Sequence, residues 1–207
     1  MKSFFIEIGR HFFLRTIKIN LVDCKSVLDV GCGSDSPLEK TKLSLYKEGV
    51  DLFEPAILES KKKGLHNKYK IIDILDIDKV YHKKSFDAVV AFEVIEHLKK
   101  QKAIELIKKM ESIAKKKVLI STPNGFLAQK IHKNNPYEVH KSGWYENELK
   151  NMGYKCYGIR GLKFIRGKGS KIKYKPWIFW GIVATISELL VFFYPKTSFG
   201  IFAVKDL

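Results

Sequence analysis

The chain has 207 residues, enough for one domain with a sizeable core. A hydrophobic content of 45% excludes a disordered polymer, and a formal net charge of +16 favours anionic partners unless the lysines simply solvate the surface. Three cysteines (Cys24, Cys32, Cys156) without Cys-x-x-Cys spacing indicate neither a disulfide framework nor a cysteine zinc site and suit a reducing cytosol.

Residues 1–20 are apolar in places, but Glu7, Arg10 and Arg15 interrupt them before a signal-peptide core reaches working length, so an amphipathic arm is expected. Val27, Leu28 and Val30 then form an apolar run too short for a helix. The run stops at Gly31 and Gly33, which predicts a buried parallel strand ending in a tight turn whose backbone a ligand can touch. Ser36, Pro37 and Glu39 have the spacing of a capping box and predict a helix from Pro37. Asp51 ends a second strand about 20 residues beyond the glycine turn, where α/β nucleotide sites hold a ribose diol. Its alternative role is to cap a helix over residues 55–63, which Gly64 ends.

Residues 69–73 predict a third strand, with Asp73 either accepting from an exocyclic amine such as that of adenine or capping a turn. Residues 86–91 and 117–122 predict the fourth and fifth strands. Between them Ala103, Ile107, Met110 and Ala114 recur at helical spacing. This alternation means a parallel sheet with helices on both faces, which binds ligands at the carboxyl ends of its strands.

With Asp29-x-Gly31-x-Gly33, Asp51, Asp73 and the run from Phe86 through Phe92-Glu93-Val-Ile-Glu96-His97, residues 25–152 resemble a class I S-adenosylmethionine-dependent methyltransferase. The resemblance implies a Rossmann-like α/β fold, a seven-stranded, mostly parallel sheet with an antiparallel last strand and helices on both faces. It also implies S-adenosylmethionine as cofactor, with the glycine turn against its methionine part, Asp51 on the ribose, and Asp73 with Ile74 beside the adenine. The cofactor contacts expected on this basis are Asp29, Gly31, Gly33, Asp51, Leu52, Asp73, Ile74 and Phe92. The family often has a third glycine two positions beyond Gly33, where this chain has Asp35.

Methyl transfer from a sulfonium is an in-line displacement, so the site must mainly align the reacting atoms, and a hydroxyl nucleophile also needs its proton removed. His97 is a candidate base, with ordinary packing against the following helix as the alternative. Residues 135–144 predict a polar and aromatic lid in which Tyr137, His140 and Trp144 either meet substrate or fix the loop to the domain. Glu93, Glu96, His97 and His140 are also an oxygen and nitrogen ligand set for a divalent ion. That quartet resembles ubiquinone-pathway O-methyltransferases and small-RNA 3′-terminal 2′-O-methyltransferases, both of which imply magnesium. Glu-His after the fourth strand is, however, also widespread among metal-free methyltransferases.

Residues 154–159 and 199–204 predict the last two strands. Between them a basic run (Arg160, Lys163, Arg166, Lys168, Lys171, Lys173, Lys175) precedes residues 177–194, whose single charge is Glu188. We expect one domain over 1–207 with 171–196 as an apolar insertion. A membrane span is not expected, because the flanking strands must pair on one side of a bilayer. Gly181, Ala184, Thr185 and Glu188 share one helical face that can dock on the domain, leaving Phe179, Ile182, Val183, Ile186, Leu190 and Phe193 either for lipid or for the core. The functional expectation is O-methylation of a small-molecule, glycan or lipid-linked acceptor by a cytoplasmic enzyme peripheral at an anionic membrane. The alternatives are metal-assisted RNA 2′-O-methylation, for which no Arg/aromatic RNA-reading module is evident, and a non-catalytic cofactor-binding membrane scaffold.

Overall fold

The computed structural model describes residues 2–128, 135–167 and 171–207, with side chains from residue 12 onward. Lys168 of the basic run lies outside the described residues. The core is one seven-stranded sheet. Its strands are β1 (Ser26–Val30), β2 (Tyr46–Asp51), β3 (Lys68–Ile71), β4 (Phe86–Phe92), β5 (Ala114–Pro123), β6 (Lys155–Leu162) and β7 (Ser198–Asp206), in the order β3-β2-β1-β4-β5-β7-β6. All neighbours pair in parallel except β7, which runs antiparallel to both β5 and β6. This is the seven-stranded, mostly parallel sheet with an antiparallel last strand expected from the sequence.

β4 is apolar along nearly its whole length and buried on both faces, as a central parallel strand must be. On one face α4 (Lys100–Ile113) lays Ala103, Leu106, Ile107 and Met110 against β4 and β5. On the other, α1 (Lys2–Leu21) buries Ile17 and Leu21 with Leu119, Phe202 and Val204. The predicted arm is thus a helix packed on the sheet through its C-terminal half. α2 (Glu54–Lys62), α3 (Ile77–Val80) and α5 (Glu146–Asn151) complete the crossovers. The strand order reverses between β1 and β4, and the carboxyl ends of β1, β2 and β4 therefore bound a crevice at the switch point.

The helix predicted from Pro37 does not form. The segment has only a single 3-10 turn, Glu39–Thr41, ended by left-handed Lys42 (φ 54). The residues between Ser36 and Tyr46 are too few: nine residues at about 1.5 Å each would reach about 14 Å, short of the roughly 20 Å of a six-residue strand, with nothing left for turns. Ser36 still accepts from the Leu38 N–H (3.3 Å), but its hydroxyl is committed to Asp29 at 2.6 Å.

Among the described residues no helix is long and apolar enough to cross a membrane. α6 (Trp177–Phe193) instead packs on β6 by burying Gly181, Ala184, Ser187, Glu188 and Val191, so Ser187 and Val191 join the expected face while Thr185 is only half-buried. The approach is very close. A Cβ built on Gly158 would lie 2.0 Å from the Val191 carbonyl oxygen, and one on Gly161 2.7 Å from that of Ala184. The opposite face of α6 exposes Phe179, Ile182, Ile186, Leu189, Leu190 and Phe193, the last at 74%.

Candidate active site

The switch-point crevice is a cavity of about 1170 Å³. Its floor is the turn after β1. Gly31 (φ 69) and Gly33 (φ 56) are both left-handed, and the N–H groups of Gly31 and Cys32 donate to the Val50 carbonyl at 2.8 and 3.1 Å. A Cβ on Gly31 would come within 2.7 Å of Val94, whereas Gly33 faces open space, so the first glycine allows packing and the second backbone access.

Asp51 at the end of β2 accepts from Gly33 N–H (2.9 Å) and Phe53 N–H (2.8 Å), clamping the turn while its carboxylate lines the cavity. Burial raises its pKa, with nearby Asp29 adding to the rise, and the Phe53 and Gly33 hydrogen bonds oppose it. Leu52, Ile74 and Phe92 line the same space. Asp73 caps the following turn through Leu75 N–H (2.9 Å) and also lines the cavity. Asp29 departs from expectation. It is buried at 2% exposure, accepts from Ser36 and pairs with His66 Nε2 at 2.9 Å, so it braces the turn from beneath and does not line the cavity.

At the end of β4, Glu96, His97 and His140 bring one ligand atom each within 4.8 Å of one another. The imidazole centroids are 4.8 Å apart. The loop carrying His140 is held by the Glu96 carbonyl, which accepts from Lys141 N–H (2.8 Å) and Ser142 N–H (3.1 Å). Glu96 Oε2 accepts from Thr122 (3.0 Å), but Glu96 Oε1, His97 Nδ1 and His140 Nδ1 are buried without a hydrogen-bond partner. Burial, reinforced by Glu93, raises the Glu96 pKa well above the carboxylate range. Burial lowers that of His140 and, helped by His140 itself, takes His97 down to about 4.

Three expectations are corrected at this end. Glu93 is outside the cluster, because its Oε2 pairs with Arg160 at 2.9 Å and its Oε1 accepts from Ser121. His97 is a poorer general base than its unperturbed pKa suggests, since burial leaves it with little proton affinity at neutral pH. Trp144 does not face the cavity. It is 1% exposed, its indole N–H reaches Ser142 (3.1 Å) and the Ile95 carbonyl (3.4 Å), and Lys100 lies 3.8 Å over its ring, so it fixes the loop. Tyr137 lines the cavity and is 48% exposed.

Sequence reasoning missed Phe13 and Leu14 on α1, and Arg160, Arg166, Lys171 and Glu188 around the junction of β6 and α6, all of which line the cavity. The signal for the second group was the glycine pair flanking Arg160. Gly158 and Gly161 let α6 pack so closely on β6 that its single acidic residue reaches the site.

A methyltransferase-domain family model matches residues 9–152, which include the glycine turn, Asp51 and the β4 end. The chain belongs to this family. It is a class I S-adenosylmethionine-dependent methyltransferase and an enzyme. Solved structures agree on the fold. An S-adenosylmethionine-dependent methyltransferase from Archaeoglobus fulgidus is 19% identical with a TM-score of 0.60, covering 94% of each chain. Magnesium protoporphyrin IX methyltransferase from Synechocystis PCC 6803, with S-adenosylmethionine bound, is 16% identical with a TM-score of 0.55, covering 97% of this chain and 81% of its own. The small RNA methyltransferase HEN1 is 19% identical with a TM-score of 0.58, covering 94% of this chain and 24% of its own. No curated protein sequence matches the chain.

Proposed function

We propose that the enzyme transfers the methyl group of S-adenosylmethionine to an oxygen nucleophile on a lipid-linked, glycan or other small biosynthetic acceptor. The methionine part would lie on the Gly31–Gly33 turn, the ribose diol on Asp51, and the adenine between Leu52, Asp73 and Ile74. What supports the ribose role is that Asp51 is an acceptor held in place by two backbone donors, so its orientation is set before ligand arrives. Tyr137 is proposed to meet the acceptor, with Phe92 completing the wall beside the methyl group.

Magnesium is proposed as a second cofactor. The donors present suit a divalent cation, since one buried carboxylate oxygen and two buried imidazole nitrogens lack partners and all three would gain from one, although two imidazoles favour a softer ion such as manganese or zinc over magnesium. Glu96, His97 and His140 would hold the ion, and the chemistry supplied there is polarisation of the acceptor hydroxyl, making its proton easier to lose. Hydrogen bonds donated by the His97 ring to the Val139 carbonyl and by the His140 ring to the Leu127 carbonyl would orient the rings in the way ligand imidazoles are usually held.

The lipid-linked acceptor draws its support from the exposed apolar face of α6, preceded by Lys171, Lys173 and Lys175, each lysine worth about 1 kcal/mol near an anionic bilayer. The intact protein is expected to float with anionic but not neutral liposomes, and Ile186→Asp with Leu190→Asp is expected to abolish flotation. Equal behaviour of the double variant and the intact protein would remove the membrane from this account.

RNA 2′-O-methylation is the second reading, favoured by the Glu96, His97 and His140 cluster. A non-catalytic membrane scaffold is the third. Methyl-labelled S-adenosylmethionine given to the enzyme with lipid, glycan and RNA fractions decides among them. Label is expected in the lipid or glycan fraction; label confined to RNA would favour the second reading, and none anywhere the third.

A further inference from the structure

The cavity is larger than one ligand needs. Its volume of about 1170 Å³ exceeds the roughly 300–1,000 Å³ of a typical small-molecule site, and its two ends differ in chemistry. Away from the glycine turn it is lined by Arg160, Arg166, Lys171 and Lys141, against the carboxyl groups of Glu93, Glu138 and Glu188.

Two features make this basic end a built arrangement. The pairing of β6 with β7 slips between Ile159 and Leu162, where Arg160 (φ 67) and Gly161 (φ 68) are both left-handed. Such a conformation is uncommon for an arginine, and bulges beside active sites serve to re-aim a side chain. Here the bulge delivers Arg160 to Glu93, at the reacting end of the cavity. Arg166 is the second feature. Its side chain is only 10% exposed and lies 4.0 Å from Glu188, which is 2% exposed and is the single charge on an otherwise apolar α6. Burial raises the Glu188 pKa to about 7, against the pull of Arg166.

We propose that Arg160, Arg166 and Lys171 form an acceptor subsite for an anionic group, a phosphate or a carboxylate, carried on the head of a lipid. The inference rests on the methyltransferase reading and names the acceptor class for that site. A guanidinium presents five donors in a planar fork, which suits the paired oxygens of such a group. Phe13, Leu14 and Phe92 supply an apolar wall in the same cavity. α6 contributes Glu188 to the cavity on one face and exposes apolar residues on the other, so the element that would rest on a bilayer also bounds the subsite.

The test is calorimetry on protein saturated with S-adenosylhomocysteine, titrated with dihexanoyl phosphatidic acid, dihexanoyl phosphatidylcholine and inorganic phosphate. Phosphatidic acid is expected to bind, phosphate to bind at least tenfold more weakly and compete with it, and phosphatidylcholine to give no heat. Arg160→Gln and Lys171→Gln should each weaken phosphatidic acid at least tenfold while S-adenosylhomocysteine affinity stays within about twofold. Unchanged phosphatidic acid binding in both folded variants, or equal binding of phosphatidylcholine, overturns the subsite. Phosphate binding as tightly as phosphatidic acid overturns the lipid source, and displacement of the lipid by a short oligoribonucleotide that binds more tightly overturns it in favour of RNA. Failure to bind S-adenosylhomocysteine would instead count against the methyltransferase reading itself.

Discussion

Asp51→Ala is expected to weaken S-adenosylmethionine and S-adenosylhomocysteine alike by about fivefold to 150-fold, or ~1–3 kcal/mol, in a protein that still folds. The carboxylate has two tasks. It would accept the ribose hydroxyls, and it holds the Gly33 and Phe53 N–H groups, so its loss removes ligand hydrogen bonds and also releases the turn on which the methionine part would rest. Asp51→Asn should fall between, because an amide has only one oxygen for those donors. Calorimetry with circular dichroism as the folding control reads both effects. Unchanged affinity in folded Asp51→Ala would take this residue out of the site.

Removing the metal cluster is expected to have the second large effect. Turnover should fall by a factor on the order of 10–100 in EDTA and recover with magnesium, and His140→Ala should lose the dependence together with Mn²⁺ binding measured by electron paramagnetic resonance. The pH dependence has a defined sign. Glu96 has a raised pKa and must lose its proton to bind a cation, so apparent metal affinity should increase as pH rises through the Glu96 titration. His97, pushed to about 4, adds proton competition only well below neutrality. Full turnover in EDTA with no Mn²⁺ signal would remove the ion and leave Glu96, His97 and His140 as packing for the loop.

Most of the sheet was legible because short apolar runs, the first four stopped by a glycine or an acidic residue, are what buried parallel strands require. Asp51 and Asp73 were legible for the same reason, since a carboxylate at a strand end has few other places to point. What failed depended on partners distant in sequence. Ser36 reads as a helix cap until Asp29 takes its hydroxyl and the chain proves too short to form a helix. Trp144 reads as a loop aromatic until Ile95, Ser142 and Lys100 enclose it. Glu93 reads as a metal ligand until a bulge on β6, 67 residues later, turns Arg160 towards it. Neither the slip in strand register that forms this bulge nor the close seating of α6 on Gly158 has a local sequence signature beyond the glycines themselves.

The central claim is that one cavity, at the carboxyl ends of β1, β2 and β4, holds the methyl donor. Hydrogen–deuterium exchange on the intact protein, with and without saturating S-adenosylhomocysteine, tests it most directly. Added protection is expected in the segments around Gly31–Gly33, Asp51–Phe53, Asp73–Leu75 and Phe92–Val94. Protection confined to other segments, or none at saturating ligand, would contradict it.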